Sequence, residues 1–168
     1  MKKGNTQTGL ETGSVRLLAL YMKNKALPSS IEKWHEIATQ AFGILDDNDW
    51  VCAATMINGL PGENTDDVIK SIELVEDLKS IATKSLIIPM NFVSMRGSSL
   101  DCKETFTAKK MTREHWQLMG ECLDHDLHVV PQLLRRLDKN GSGLIKGRLL
   151  GISVKLTTNR LKKHVEAM

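Results

Sequence analysis

Two rhythms of apolar residues alternate along the chain. Val15, Leu18 and Met22 recur at helical spacing before Pro28-Ser29-Ser30 punctuates the sequence. Ile31, Trp34, Ile37 or Ala38, Ala41 and Leu45 then follow at intervals of three and four, which predicts one apolar helix face. That face ends in the polar cluster Asp46-Asp47-Asn48-Asp49. Residues 51–57 are a nearly continuous apolar run of strand length, the pattern of a parallel strand covered on both faces. A loop over 58–64 leads into a further helix. Asn64 or Thr65 can cap it, and Asp66 and Asp67 suit the positive end of its dipole. Its buried stripe is expected at Val68, Ile69, Ile72, Val75, Leu78 and Ile81, and residues 86–92 read as another apolar strand. With a short segment over 6–10, the order strand, helix, strand, helix, strand predicts an α/β fold with a parallel sheet and right-handed crossovers.

Beyond Phe92 the texture changes. Arg96-Gly97-Ser98-Ser99 is loop-like. A helix is expected to open at Thr112 with Trp116, Met119, Leu123 and Leu127 along it, and Pro131 should interrupt or restart it. Asn140-Gly141-Ser142-Gly143 is a break, and residues 149–165 read as a helical tail. No internal repeat at a solenoid period is present.

Composition narrows the class without naming a function. The chain has 168 residues, 41% hydrophobic and 26% charged, enough for one domain with a core or for part of a larger one. Aromatic residues are only 4% against 8 methionines, so the core should be aliphatic and Met-filled. No run approaches the roughly 18 apolar residues of a membrane helix, and no apolar signal segment follows Met1-Lys2-Lys3, so a cytoplasmic protein is expected. Cys52, Cys102 and Cys122 are an odd, dispersed set that reads as reduced thiols. They contain no CxxC pair, which excludes a zinc ribbon and a local cysteine cradle for an iron–sulfur cluster. The net charge of +3 is uneven: from Gly143 onward six basic residues (Lys146, Arg148, Lys155, Arg160, Lys162, Lys163) face one acid, Glu166. Such a tail suits nucleic acid or an acidic partner, but it lacks interleaved aromatics, so a solvated helix face is the expectation.

Two loops carry candidate chemistry, Gly9-Leu10-Glu11-Thr12-Gly13-Ser14 and Gly59-Leu60-Pro61-Gly62-Glu63-Asn64. Each follows an expected parallel strand, at the end where α/β folds place ligands. Glycines permit close backbone approach, and the helix N-terminus beyond each loop offers N–H groups to an anion.

The ordered pair GLETGS and MINGLPGENTDDVIKSIELVEDL, followed by the IIPMNF strand, resembles the C-terminal half of a radical S-adenosylmethionine (SAM) enzyme barrel. The closest likeness is to the cobalamin-binding-domain class of Fe-S oxidoreductases, over roughly residues 8–128. The stretch from Met111 through His115 and Trp116 to Cys122, His125 and Leu127 is similar to the region after that barrel. The resemblance implies a partial (β/α)6 TIM-like barrel over residues 1–110, here its fourth to sixth strands, and a helical C-terminal extension over 111–168. It implies that Glu11, Thr12, Gly13 and Ser14 sit at the ribose and methionyl end of SAM. Ile57, Gly59, Leu60, Pro61 and Gly62 would lie against the adenine, and Met90, Asn91 and Phe92 would line the barrel toward substrate. Glu63 is expected to be structural, capping the helix opened by Thr65.

One departure decides the mechanism. The family's 4Fe-4S cluster needs a CxxxCxxC loop, and none of the three cysteines fits it. The resemblance therefore implies a fragment that depends on a missing N-terminal barrel half for the cluster and, in the cobalamin-using members of this class, for cobalamin. Such a slice should be inactive alone, marginally stable and prone to associate through its exposed edge strand. The alternative is a small α/β nucleotide- or nucleic-acid-binding module. Two further patterns weigh less. Residues 138–145 imitate the start of a calcium loop, but position twelve is Leu149 in place of glutamate. Cys122, His125 and His128 recur every three residues without a fourth metal ligand.

Overall fold

A computed structural model of the chain describes residues 4–101, 104–137 and 163. Three parallel strands form one sheet in the order β1 (Asn5–Glu11), β2 (Val51–Asn58), β3 (Leu86–Asn91). Helices α1 (Val15–Tyr21) and α2 (Trp34–Asp47) connect β1 to β2, and α3 (Thr65–Lys79) connects β2 to β3. Helix α4 (Arg113–Leu137) follows β3 and packs on α3 and β3. The α/β class and the parallel sheet agree with the apolar pattern. The tail over 149–165 apart from residue 163, the calcium-like loop, Cys102 and the basic cluster from Lys146 to Lys162 lie outside the described residues.

The sheet is covered on one face. In β2, Cys52, Ala54, Met56 and Asn58 are fully buried while Val51, Ala53, Thr55 and Ile57 are only partly so. The expectation of a strand buried on both faces is therefore corrected among the described residues: β2 alternates. Its buried side joins a core with Leu18, Phe42, Val68, Val75, Leu78, Ile87 and Leu118. On the other face Ile88 and Met90 of β3 are 38% and 49% exposed.

The two sheet edges differ. Along β3, Pro89 has no N–H to offer, and the Ile87 N–H donates to Asp126 of α4 at 2.8 Å. Along β1, residues 5–10 contain no charge and no proline, and no described strand pairs with the outer side.

Two helix stripes depart from expectation. In α3, Ile69 is exposed, whereas Asp67, Ser71 and Leu74 are buried beside Val68, Ile72, Val75 and Leu78. The buried line of α4 is His115, Leu118, Cys122, His125 and Val129, in place of Trp116, Met119, Leu123 and Leu127. Both histidines are accepted there because each has a fixed partner: His115 meets Glu63, and His125 Nε2 donates to the Ser85 carbonyl at 2.8 Å. The helix also runs through Pro131 without a break.

Candidate functional site

The C-terminal ends of β1 and β2 meet at the buried carboxylate of Asp67. Asn64 caps α3, accepting the Asp67 N–H at 3.0 Å, while Asp67 returns an acceptor to the Asn64 N–H at 2.9 Å. This reciprocal box holds Asp67 at the first turn, where the helix dipole favours a negative charge. Ser14 Oγ donates to Asp67 Oδ1 at 2.5 Å, and the Arg16 guanidinium donates to both carboxylate oxygens. Burial raises the Asp67 pKa, but the hydrogen bonds from Arg16, Ser14 and Asn64 outweigh it, leaving the group below the usual carboxylate range.

The same contacts lock the two loops side by side. Arg16 Nη2 donates to the Gly62 carbonyl at 2.8 Å, and the Tyr21 hydroxyl donates to the Pro61 carbonyl at 2.6 Å. Thr12 Oγ1 lies 3.1 Å from Ser71 Oγ, and the Gly13 N–H donates to that same Ser71 oxygen at 2.9 Å. A Cβ on Gly13 would fall 2.1 Å from the Lys70 carbonyl oxygen, so only glycine lets this loop press against α3. Trp34 Nε1 donates to the Thr12 carbonyl at 3.0 Å and closes the loop from the α2 side.

Each expected site residue now has a place. The hydroxyls of Thr12 and Ser14 are buried and engaged by Ser71 and Asp67, and Ser14 also caps α1. Glu11 differs: it has φ of +66° at the end of β1, and its carboxylate lies over Gly9, with Oε1 3.2 Å from Lys25 Nζ. Beside it, a cleft of about 590 Å³ is lined by Tyr21, Met22 and Lys25. Ile57, Leu60 and Phe92 pack together with Leu17, Leu100 and Phe106. Gly59, at φ +76°, lies directly beneath the Phe106 ring, which a Cβ there would approach to 1.9 Å. Pro61 and Gly62 contribute their carbonyls to Tyr21 and Arg16 as described. On β3, Met90 projects from the uncovered face and Asn91 lies beside Asn58. A second cleft, of about 510 Å³, is lined by Gly13, Ser14 and Asn64 of the two loops together with Arg16, His35 and Lys70.

Glu63 is structural, though it does not cap α3. Its Oε2 accepts the Gly59 N–H at 2.6 Å and lies 3.0 Å from His115 Nε2. The Thr112 N–H donates to His115 Nδ1 at 3.1 Å, which leaves Nε2 to carry the proton given to Glu63. Loop 59–64 is thereby fastened to the start of α4, 52 residues away.

The two described cysteines, Cys52 and Cys122, do not form a cluster cradle. Cys52 and Cys122 are buried free thiols, and burial pushes both thiol pKa values up, away from the thiolate a metal needs. His128 is exposed and bonded to the Asp124 carbonyl, apart from the inward-facing Cys122 and His125. Among the described residues no group of three or more His, Cys, Asp or Glu is disposed to hold a metal ion. No described helix is long and apolar enough to cross a membrane. No protein-family model and no curated protein sequence matches the chain.

Proposed function

We propose that the chain is the C-terminal half of a radical SAM barrel, supplying the SAM-binding side and relying on another polypeptide segment for the cluster. The observation that supports this reading is the joint at Asp67, which holds the GLETGS and GLPGE loops adjacent at the ligand-binding ends of β1 and β2. The asymmetry of the sheet agrees with it. An open barrel ending at its sixth strand needs a protected last edge, as at Ile87 and Pro89, and a fourth strand ready to pair, as at residues 5–10.

On this reading the residues divide their work. Glu11 accepts the ribose hydroxyls, a role suited to a carboxylate with one oxygen beyond its lysine partner. Thr12 and Ser14 act through position, shaping the loop with hydroxyls that are already engaged. Ile57 and the Gly59–Gly62 turn form the apolar wall beside the base. Of residues 90–92, Met90 on the uncovered face is turned toward substrate, whereas Asn91 lies on the covered face and Phe92 is buried. The cluster, when supplied by the other half, provides the electron for SAM cleavage; this chain alone binds and orients. The cysteines described here do not fit that cluster.

The runner-up is a self-sufficient α/β nucleotide- or nucleic-acid-binding module, favoured by the basic residues beyond Gly143. Calorimetric titration with SAM, ATP and a short RNA separates the two. SAM binding without RNA binding supports the barrel reading. Salt-dependent RNA binding without SAM binding replaces it with the module.

A further inference from the structure

The outer edge of β1 is self-complementary. The Val51 N–H donates to the Gly4 carbonyl at 3.1 Å, so residues 4, 6 and 8 turn their backbone groups toward β2. The N–H and C=O groups of Asn5, Gln7 and Gly9 therefore point away from the sheet, and no described strand meets them. Asn5 and Gln7 are exposed, and neither a charge nor a proline interrupts residues 5–10. Turned end for end about Gln7, the edge offers the same groups again, with Gly9 in the place of Asn5.

The opposite edge of the sheet offers no such row. The outward Ile87 N–H is already bound to Asp126 at 2.8 Å, and Pro89, the next residue to face outward, has no N–H. Helix α4 packs against the same strand. Head-to-tail addition of β1 to the β3 of another copy would build an open fibre, but it finds neither donor. A contact of β1 with itself needs no second kind of edge, and it closes at two copies.

We propose that β1 pairs antiparallel with β1 of a second copy of this chain, about a two-fold axis through Gln7, joining the two three-stranded sheets into one. In this register Gln7 exchanges both backbone bonds with Gln7 of the second copy, and Asn5 does so with the second copy's Gly9. Every outward N–H and C=O of residues 5, 7 and 9 is then satisfied. A slip of two residues toward Glu11 sets Asn5 against a residue whose φ of +66° leaves the extended path. The side chains agree with the register. On the uncovered face the two Gln7 carboxamides lie opposite each other, donor to acceptor. The second copy's Asn5 carboxamide falls beside the Glu11 carboxylate, which lies over Gly9. On the other face Thr6 stands opposite the second copy's Thr8, a pairing that stabilises antiparallel ladders. None of this rests on the radical SAM reading, under which the missing half competes for the same edge.

Cysteine cross-linking of the full chain tests the register, in a Cys102→Ser background that leaves the buried thiols Cys52 and Cys122 in place. Residues opposite each other in a non-hydrogen-bonded pair stand about 4.5 Å apart at Cα, within disulfide reach. Diagonal neighbours stand about 7–8 Å apart, beyond it. An equimolar mixture of Thr6→Cys and Thr8→Cys should therefore form a disulfide-linked dimer under mild oxidation at least tenfold faster than either variant alone. Sedimentation of the wild type should resolve monomer and dimer with no larger species, which reads the pairing without any substitution. Cross-linking of Thr6→Cys or Thr8→Cys alone as fast as the mixture overturns the two-fold register. A mixture that fails to cross-link where the wild type sediments as a dimer places the interface elsewhere and overturns the proposal. A wild-type monomer at every concentration, or an open-ended series of larger species, overturns it as well.

Discussion

Replacing Asp67 by alanine tests whether the two loops are held by one carboxylate. The substitution removes the acceptor of Ser14 Oγ, of the Arg16 guanidinium and of the Asn64 N–H. Ser14 is 3% exposed, so its stranded hydroxyl costs about 1–3 kcal/mol. Loss of the reciprocal cap on α3 adds about 1 kcal/mol. The Arg16 side chain is 50% exposed, so water replaces its partner and that ion pair contributes no more than about 1 kcal/mol. The total is about 2–5 kcal/mol, a large part of the roughly 5–15 kcal/mol that holds a domain together. For a chain of this size that lowers the melting temperature by about 4–20 °C, read by circular dichroism at pH 7. The pH dependence supplies an internal check. Because the folded Asp67 pKa is depressed, its contribution is complete above the unfolded value of about 3.9 and fades as pH falls through the folded value. The gap between wild type and Asp67→Ala should therefore narrow below about pH 4. A variant melting within about 1 °C of wild type at pH 7 would refute the reasoning.

Three further outcomes are expected. Gly59→Ala forces a side chain onto a positive φ and into the Phe106 ring, and should cost roughly 2–4 kcal/mol in urea unfolding. Asp126, whose pKa burial pushes up to about 7, is favoured in the folded state when protonated, so its penalty grows as pH rises from about 4 to 7. Asp126→Asn keeps an acceptor for the Ile87 N–H and should be more stable than wild type at pH 8, by about 1–3 kcal/mol, with the advantage disappearing near pH 4. The unprotected β1 edge should make the isolated chain associate, and Gln7→Lys should shift its sedimentation toward monomer; a wild-type monomer at high concentration would count against an open edge.

Apolar runs located β2 and β3, and spacings of three and four located α2 and α3, because these patterns report burial directly, whereas β1, with Leu10 as its one apolar side chain, read only as a short segment. The apolar pattern misjudged coverage where burial is one-sided. In β2, Ala53 and Thr55 are as compatible with an open face as with a covered one, so a nearly apolar run concealed an alternating strand. It also misjudged α4, since His115 and His125 are polar by type and buried only through partners in Glu63 and Ser85, 52 and 40 residues away. The two loops were legible as glycine turns, yet the carboxylate joining them was read only as a dipole partner. The Asn64-x-x-Asp67 spacing carries a capping-box signal that could have marked Asp67 sooner. Nothing local to Asn58 or Phe106 signals their proximity, which arises from the pairing of β2 with β3 and the return of the chain beneath α4.

The central claim is that the end of the sheet beside Glu11 holds SAM, and its most direct test is a SAM titration of wild type against Glu11→Gln. The account predicts saturable binding by the wild type and at least tenfold weaker binding by the variant, with both melting alike. No SAM binding by the wild type, or equal binding by the two, would contradict it.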